Sequence, residues 1–352
     1  MEKKRIEWID LLRAFAILAV LLCHATEGIY QLKLESVSAM PMTSKIIAFG
    51  GFSLGRIGVP IFLMISGYLL LDRTYERDTI IKFWKNNWFK LLICTEIWFL
   101  IYELFLKYII KQDVPVQIII KDMLFIHKIN MGHVWYMPMI LGMYVLIPFV
   151  AIVLKNIDMN MIKYTVAFFS IWAFVFPLIK VMNDIFSGED LSLQMSLGYS
   201  GGAYGLYLVL GYMLKKGLLK KLKTPIAIGC CLVAWGGTVA FQIWAYSRGC
   251  RYNVWYDFPL ILIASTLLFE LGSRIKKVRF YSVVKQISYY SFAIYLIHFM
   301  IRMLLINYFS NIEMMRSAKV MLVWIVDLAA SLVLAWLINK VPKIGKFILY
   351  TK

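Results

Sequence analysis

Two ionisable side chains lie inside the first apolar stretch of the chain, a position from which a membrane helix normally excludes them. Arg13 and His24 are eleven residues apart in the segment from residue 8 to residue 24. Eleven residues make three helical turns and about 20° more, so a helix places both side chains on one face, roughly 16 Å apart along its axis. This arrangement suits a membrane enzyme that holds an anionic donor at one depth and accepts a proton at another.

The composition excludes a soluble globular protein. The 352 residues are 61% hydrophobic and 16% charged, and the mean hydropathy is +0.72. Soluble proteins are about 45–50% apolar and about 25% charged. The net charge of +18 comes from short runs of Lys and Arg between apolar stretches, without a basic stripe of interleaved aromatics, so we expect no nucleic-acid partner.

The apolar runs predict an all-α integral membrane protein, a single polytopic domain over residues 1–352 with about ten transmembrane helices and both termini in the cytoplasm. An N-terminus inside the cell places 24 Lys and Arg residues in inner segments and 12 in outer ones, as the positive-inside rule requires. The candidate helices are 9–30, 46–71, 91–110, 133–154, 164–182, 201–214, 225–246, 257–273, 287–306 and 319–339.

The five cysteines show no Cys-x-x-Cys spacing, and most of them fall within apolar spans. A structural zinc site or a disulfide framework needs closely spaced or paired thiols. We therefore expect no metal centre.

Four stretches resemble the acyltransferase 3 family of membrane O-acyltransferases. The first is the Arg-x10-His spacing of Arg13 and His24, and the second is residues 58–68, GVPIFLMISGY. Residues 133–137, HVWYM, are similar to the family's H-[LV]-W-[FY]-[LM] element, and residues 288–298, SYYSFAIYLIH, to its S-x-x-S-[FY]-x-I-Y-L-x-H element. The four occur in family order, and the length resembles short, single-module members such as the enterobacterial common antigen O-acetyltransferase.

The resemblance implies a multi-pass O-acyltransferase of the bacterial inner membrane. It implies that acetyl-CoA enters from the cytoplasm as a co-substrate, with no permanently bound cofactor, and that a hydroxyl of a cell-surface or lipid-linked glycan accepts the acetyl group. Acyl-CoA, the glycan acceptor and membrane lipids would be the partners.

His24 is the candidate general base, because an imidazole titrates near working pH, or it briefly carries the acyl group. Glu27, three residues further on, would orient the ring. His298, in the ninth predicted helix, is a candidate supporting catalytic residue. The alternative for either histidine is a hydrogen-bonded, inert side chain.

The resemblance implies that Arg13 helps to hold the donor, whose phosphates suit a guanidinium. Asp10 either belongs to this donor site or forms a structural ion pair with Arg13. Lys85 and Lys90 could receive the nucleotide end of the donor, although a positive-inside loop explains the same residues. The family usually has Arg-x-x-Arg at this point, whereas this chain has Asn87 and Lys90.

Three residues are candidates for acceptor binding. His133 and Trp135 begin the fourth predicted helix on its outer side, where an acceptor sugar would arrive, although aromatic residues also anchor helices at the interface. Arg56 lies near the outer end of the second span, where it would contact the substrate or pair with Glu27 or Glu103.

Two other functions compete with this interpretation. An organic-anion transporter of the inner membrane would use Arg13 and Arg56 as counter-charges for its substrate. The paired repeats and broken helices that such transporters often show are not evident in the sequence. A sensor or scaffold subunit would keep the fold without the chemistry.

Overall fold

The computed structural model describes residues 5–127, 129, 131–186, 202–342 and 345–351, and every regular element within them is helical. In chain order the elements are α1 (Glu7–Tyr30), α2 (Leu34–Ser38), α3 (Met42–Arg56), α4 (Gly58–Leu70), α5 (Arg77–Phe83), α6 (Phe89–Tyr108), α7 (Val116–Met123), α8 (Tyr136–Asn156), α9 (Met159–Ser170), α10 (Phe176–Phe186), α11 (Gly202–Lys215), α12 (Thr224–Ser247), α13 (Pro259–Ser273), α14 (Tyr281–Ser310), α15 (Arg316–Asn339) and α16 (Gly345–Ile348). Short π-helical segments, Trp84–Trp88 and Ile171–Val175, join α5 to α6 and α9 to α10.

Each of the ten predicted membrane segments overlaps helical residues of the structure, and two of them, 46–71 and 164–182, each cover two α-helices. Within the described residues, seven helices are long and apolar enough to cross a membrane. The all-helical, multi-pass class is therefore confirmed, whereas the count of about ten spans and the cytoplasmic position of the termini stay predictions. The seven are Glu7–Tyr30, Met42–Leu70, Tyr136–Asn156, Met159–Phe186, Thr224–Ser247, Tyr281–Ser310 and Arg316–Asn339.

The second and third predicted helices differ from the structure in ways that matter for the architecture. The second predicted helix is broken at Ile57, because Pro60 has no N–H and its ring clashes with a carbonyl one turn earlier, so α4 restarts with Pro60 in its first turn. The third helix begins at Arg77 rather than at residue 91. The N–H of Glu76 donates to Oγ1 of Thr79 at 2.7 Å and fixes this start.

Close backbone contacts at three glycines hold the bundle together. Gly58 lies against α1, where an added Cβ would stand 2.6 Å from the carbonyl oxygen of Ala16. Gly67 of α4 packs on the carbonyl of Leu208 in α11, and Gly211 of α11 packs on the carbonyl of Met64 in α4. Small residues permit such approach in membrane bundles, so these positions fix the spacing of α1, α4 and α11.

The first and last described residues of the chain lie at the same end of the bundle. Arg5 and Thr351 line one cavity, and the carboxylate of Glu7 accepts a hydrogen bond of 3.0 Å from the backbone N–H of Val278, just before α14. The side chain of Asp72, just after α4, pairs with Lys216, just after α11, at 2.6 Å. These contacts gather the starts of α1 and α14 and the ends of α4 and α11 on one face.

Candidate active site

Three of the chain's four histidines meet where α1, α14 and the turn before α8 come together. The ring centroid of His298 lies 5.5 Å from that of His24 and 5.2 Å from that of His133. Phe299 stacks on His133 at 4.4 Å and meets His24 edge to face at 5.5 Å. The structure therefore joins two predicted catalytic residues and one predicted acceptor residue in a single histidine cluster: His24, His133 and His298.

Within the cluster, His24 is paired with a carboxylate. Its Nδ1 lies 3.4 Å from Oε2 of Glu27, one turn further along α1, as the i+3 spacing predicts. Because a carboxylate accepts a hydrogen, this contact assigns the proton to Nδ1 and leaves the lone pair on Nε2. The His24 side chain is 12% exposed and that of Glu27 is 44% exposed, so a nearly buried imidazole faces a partly exposed carboxylate.

The other two imidazoles each keep a buried nitrogen without a hydrogen-bond partner. Nδ1 of His298 donates to the carbonyl of Tyr295 at 2.7 Å, which leaves Nε2 as an acceptor. The hydroxyl of Tyr102 donates to the Leu296 carbonyl at 2.8 Å, so its oxygen accepts from Nε2–H of His133 at 3.3 Å. No described group bonds to Nδ1 of His133 or to Nε2 of His298. Both atoms can therefore accept a hydrogen bond from a polar ligand.

Among the described residues, no group of three or more His, Cys, Asp or Glu side chains has the arrangement that a metal ion needs. The carboxylate of Glu27 is a polar neighbour of the histidine cluster and suits proton transfer.

Arg302, which is not among the candidates that the sequence suggests, lies beside the cluster. It is 9% exposed, and its Nη1 donates to the backbone carbonyl of His24 at 2.8 Å. Its Cζ lies 3.9 Å from the centroid of the Phe299 ring. The available signal was its spacing, because a residue four positions after His298 lies one turn along the same helical face.

Arg56 is buried at 4% exposure, but neither predicted carboxylate partner forms a salt bridge with it. Its Nη1 donates to the hydroxyl of Tyr256 at 3.3 Å, and its Cζ lies 4.3 Å from the centroid of the Trp255 ring and 4.5 Å from that of Phe52. Aromatic faces replace the carboxylate because their electron density attracts a desolvated cation. Glu103 instead lies beside a second carboxylate, that of Asp122.

Trp135 lies in the turn before α8 and belongs to an aromatic cluster with three partners. Its ring centroid is 5.3 Å from Tyr204, 5.4 Å from Trp255 and 5.4 Å from Tyr256. This aromatic cluster also contacts Arg56, so the predicted acceptor residues Trp135 and Arg56 share one neighbourhood.

A cavity of about 520 Å³ runs from the end of the bundle that carries the termini toward the histidine cluster. Arg13 lines it on α1, and the last α1 residue along its wall is Val20, one helical turn before His24. Tyr295 lines it on α14, one turn before His298. The remaining polar and charged lining residues include Arg5, Ser66, Arg73, Asn87, Tyr136, Tyr144, Ser288, Tyr289, Ser291, Tyr350 and Thr351.

Asp10 does not line the cavity. It is buried at 2% exposure and accepts hydrogen bonds from the hydroxyls of Ser288 at 2.6 Å and Tyr281 at 2.8 Å. Nη1 of Arg13 lies 3.8 Å from its Oδ1. Asp10 thus ties α1 to α14 and supports Arg13, while the guanidinium of Arg13 remains part of the cavity wall.

Lys85, in the π-helical segment before α6, and Lys90, at the start of α6, are exposed. Neither of them lines the cavity. The cations on its wall are Arg5, Arg13 and Arg73. Asn87 also lines it, and its backbone carbonyl accepts a hydrogen bond of 3.0 Å from the Tyr350 hydroxyl. The side of this helical stretch that carries Asn87 faces the cavity, whereas Lys85 and Lys90 lie on its exposed side.

A family model described as an acyltransferase domain matches residues 6–340. No curated protein and no solved structure matches the chain. The matched range contains the cavity walls on α1, α4 and α14, the histidine cluster and all four stretches that resemble the family. The chain therefore belongs to the acyltransferase 3 family, whose members are membrane acyltransferases.

Proposed function

We propose that the protein is an O-acetyltransferase of the bacterial inner membrane. It moves the acetyl group of acetyl-CoA, bound from the cytoplasm, to a hydroxyl of a cell-surface or lipid-linked glycan. The observation that carries this proposal is the alignment of an arginine-lined cavity with the His24–Glu27 pair, which lies one turn beyond the end of the cavity on the same helix.

The positive charge of the cavity wall matches the negatively charged phosphates of a coenzyme A thioester. Arg5, Arg13 and Arg73 present guanidinium groups, which bind phosphates through paired N–H donors. Val20 and Val59 line the wall deeper in the bundle and suit an uncharged acyl-bearing arm. We therefore place the nucleotide at the arginines and the thioester toward His24.

Nε2 of His24 carries no proton when Nδ1–H donates to Glu27, so Nε2 is the base for the transfer. It takes the proton of the acceptor hydroxyl while the hydroxyl oxygen bonds to the thioester carbonyl carbon. The carbon–sulfur bond then breaks, and the coenzyme A thiolate takes the proton from the imidazolium. In the covalent route, Nε2 bonds to the thioester carbonyl carbon and the carbon–sulfur bond breaks, which releases the coenzyme A thiolate. The acceptor hydroxyl then bonds to the acyl carbon of the acyl-imidazole, its proton passes to the thiolate, and the carbon–nitrogen bond breaks to restore Nε2.

The aromatic cluster of Trp135, Tyr204, Trp255 and Tyr256 supports a glycan acceptor. Its members belong to the predicted outer ends of α8, α11 and α13, and Trp255 is 36% exposed. Aromatic rings offer flat apolar faces with polar edges, which match sugar rings. His133 adjoins Trp135 in the chain, so an acceptor held on these rings lies next to the histidine cluster.

Purified protein in liposomes, given labelled acetyl-CoA and glycolipids extracted from its native membrane, tests this function. We expect label in the glycan fraction, and a loss of about 10²–10⁴-fold in His24→Ala. His127→Ala is the matched control, because His127 contacts Asp122 rather than the histidine cluster.

Full acetylation by a folded His24→Ala variant contradicts the proposed role of His24. Label that accumulates inside vesicles without any labelled glycan supports the anion transporter instead. Neither product nor uptake favours a scaffold subunit.

A further inference from the structure

The outer part of α1 is held by a side chain from α14. Nη1 of Arg302 donates to the His24 carbonyl at 2.8 Å, across 278 positions of the sequence. The guanidinium also lies on the face of Phe299, which itself stacks on His133. One cation is thereby in contact with His24 directly and with His133 through a single aromatic ring.

Gly28 of α1 makes room for this contact. A Cβ at that position would stand 3.2 Å from Nη1 of Arg302 and would overlap the Cδ1 atom of Ile306. The groove that holds the Arg302 side chain therefore depends on glycine at position 28, because any larger residue would fill part of it. The guanidinium is fixed in place by residues from both helices.

The contacts of Arg302 leave one buried nitrogen without an acceptor. Its Nε is buried and has no hydrogen-bond partner, and the guanidinium forms no salt bridge among the described residues. Glu27 and Asp327 are near enough to act on its charge. A buried N–H without an acceptor is costly, and functional sites are where such donors persist.

We infer that Arg302 is a further catalytic residue, whose Nε–H stabilises the negative charge that develops on the acyl carbonyl oxygen. This inference rests on the proposed function. When the acceptor oxygen bonds to the carbonyl carbon and its proton passes to His24, the electron pair of the carbonyl double bond moves onto the oxygen. A fixed donor in a water-poor site stabilises that charge without reorganisation, and the double bond re-forms when the thiolate leaves.

Arg302→Lys is the sharpest variant, because lysine keeps the charge and one donor for the His24 carbonyl but has no Nε–H. With labelled acetyl-CoA and the extracted glycolipids, we expect kcat to fall about 10²–10³-fold and the KM for acetyl-CoA to change little. Arg302→Gln should lose at least as much. Arg316→Gln, an exposed cation at the start of α15, is the control and should keep wild-type kcat.

Thermal unfolding of each purified variant separates catalysis from folding. A folded Arg302→Lys with wild-type kcat overturns this assignment while leaving the proposed function intact. A KM that rises in step with the loss of kcat/KM, at unchanged kcat, also overturns it, because a donor used only in the transition state alters kcat. A wild-type protein that transfers no acetyl group overturns the proposed function and this assignment together.

Discussion

Nδ1 of His24 lies 3.4 Å from Oε2 of Glu27, one turn further along the same helix. The carboxylate accepts a hydrogen from one ring nitrogen and so leaves the other free for chemistry. Because both residues belong to α1, this pairing depends on local helix geometry. The rest of the histidine cluster depends on contacts with α14 and with the turn before α8.

Glu27→Ala should lower kcat by about 10–100-fold, because a hydrogen bond to a charged group contributes about 1.5–3 kcal/mol. Glu27→Gln should lose less, since its amide oxygen still accepts from Nδ1–H. Steady-state acetyl transfer measures both effects. Glu35→Gln, an exposed acid on α2, is the control, and an unchanged kcat in Glu27→Ala would show that the carboxylate does not orient His24.

Arg13→Ala should raise the KM for acetyl-CoA by about 10–100-fold while kcat stays within a few-fold, because the guanidinium lines the cavity well below His24. Arg13→Lys should recover part of the affinity through its charge. Donor titrations on purified protein measure this. Arg77→Ala, an exposed cation outside the cavity, should bind the donor normally. Equal donor affinity in Arg13→Ala and wild type would remove Arg13 from the donor site.

Asp10→Asn should weaken both the fold and donor binding. The carboxylate accepts hydrogen bonds from Ser288 and Tyr281 and supports Arg13, whereas an amide offers one acceptor oxygen. We expect a loss of about 1–3 kcal/mol in the free energy of unfolding and a higher KM for acetyl-CoA. Asp78→Asn, an exposed acid on α5, is the matched control. A change in KM without a change in stability would argue that Asp10 touches the donor directly.

Gly67→Ala should destabilise the bundle by about 1–3 kcal/mol, because the new Cβ would overlap the backbone carbonyl of Leu208 and rigid backbone cannot yield. Gly142→Ala in α8 is the control, since nothing stands within 4 Å of a Cβ there. Alanine at that site should stabilise its helix by about 0.5–1 kcal/mol. Thermal unfolding in detergent compares the two variants, and equal stability would contradict the close α4–α11 contact.

The helices, and the contacts between residues of the same helix, could be predicted from the sequence, because apolar runs and the 3.6-residue repeat are local properties. They located the ten helical segments and paired His24 with Glu27. The start of α5 at Arg77 was missed because a charged helix at a membrane surface lacks an apolar run.

Contacts between distant residues could not be predicted in this way. The hydrogen bond from Ser288 to Asp10 and the contact of Arg302 with His24 each join α1 to α14. The buried charge of Arg56 predicts a carboxylate partner. In the fold its guanidinium instead lies against the rings of Trp255 and Phe52. His133 and His298 were assigned separate roles, and only the fold shows that their rings adjoin.

The reciprocal contacts of Gly67 with Leu208 and of Gly211 with Met64 bear on how the protein could move. Backbones that touch at two points one helical turn apart resist sliding of one helix along the other. We therefore expect α4 and α11 to move together in any conformational change. A path that admits an acceptor is then expected to open along a different helix boundary.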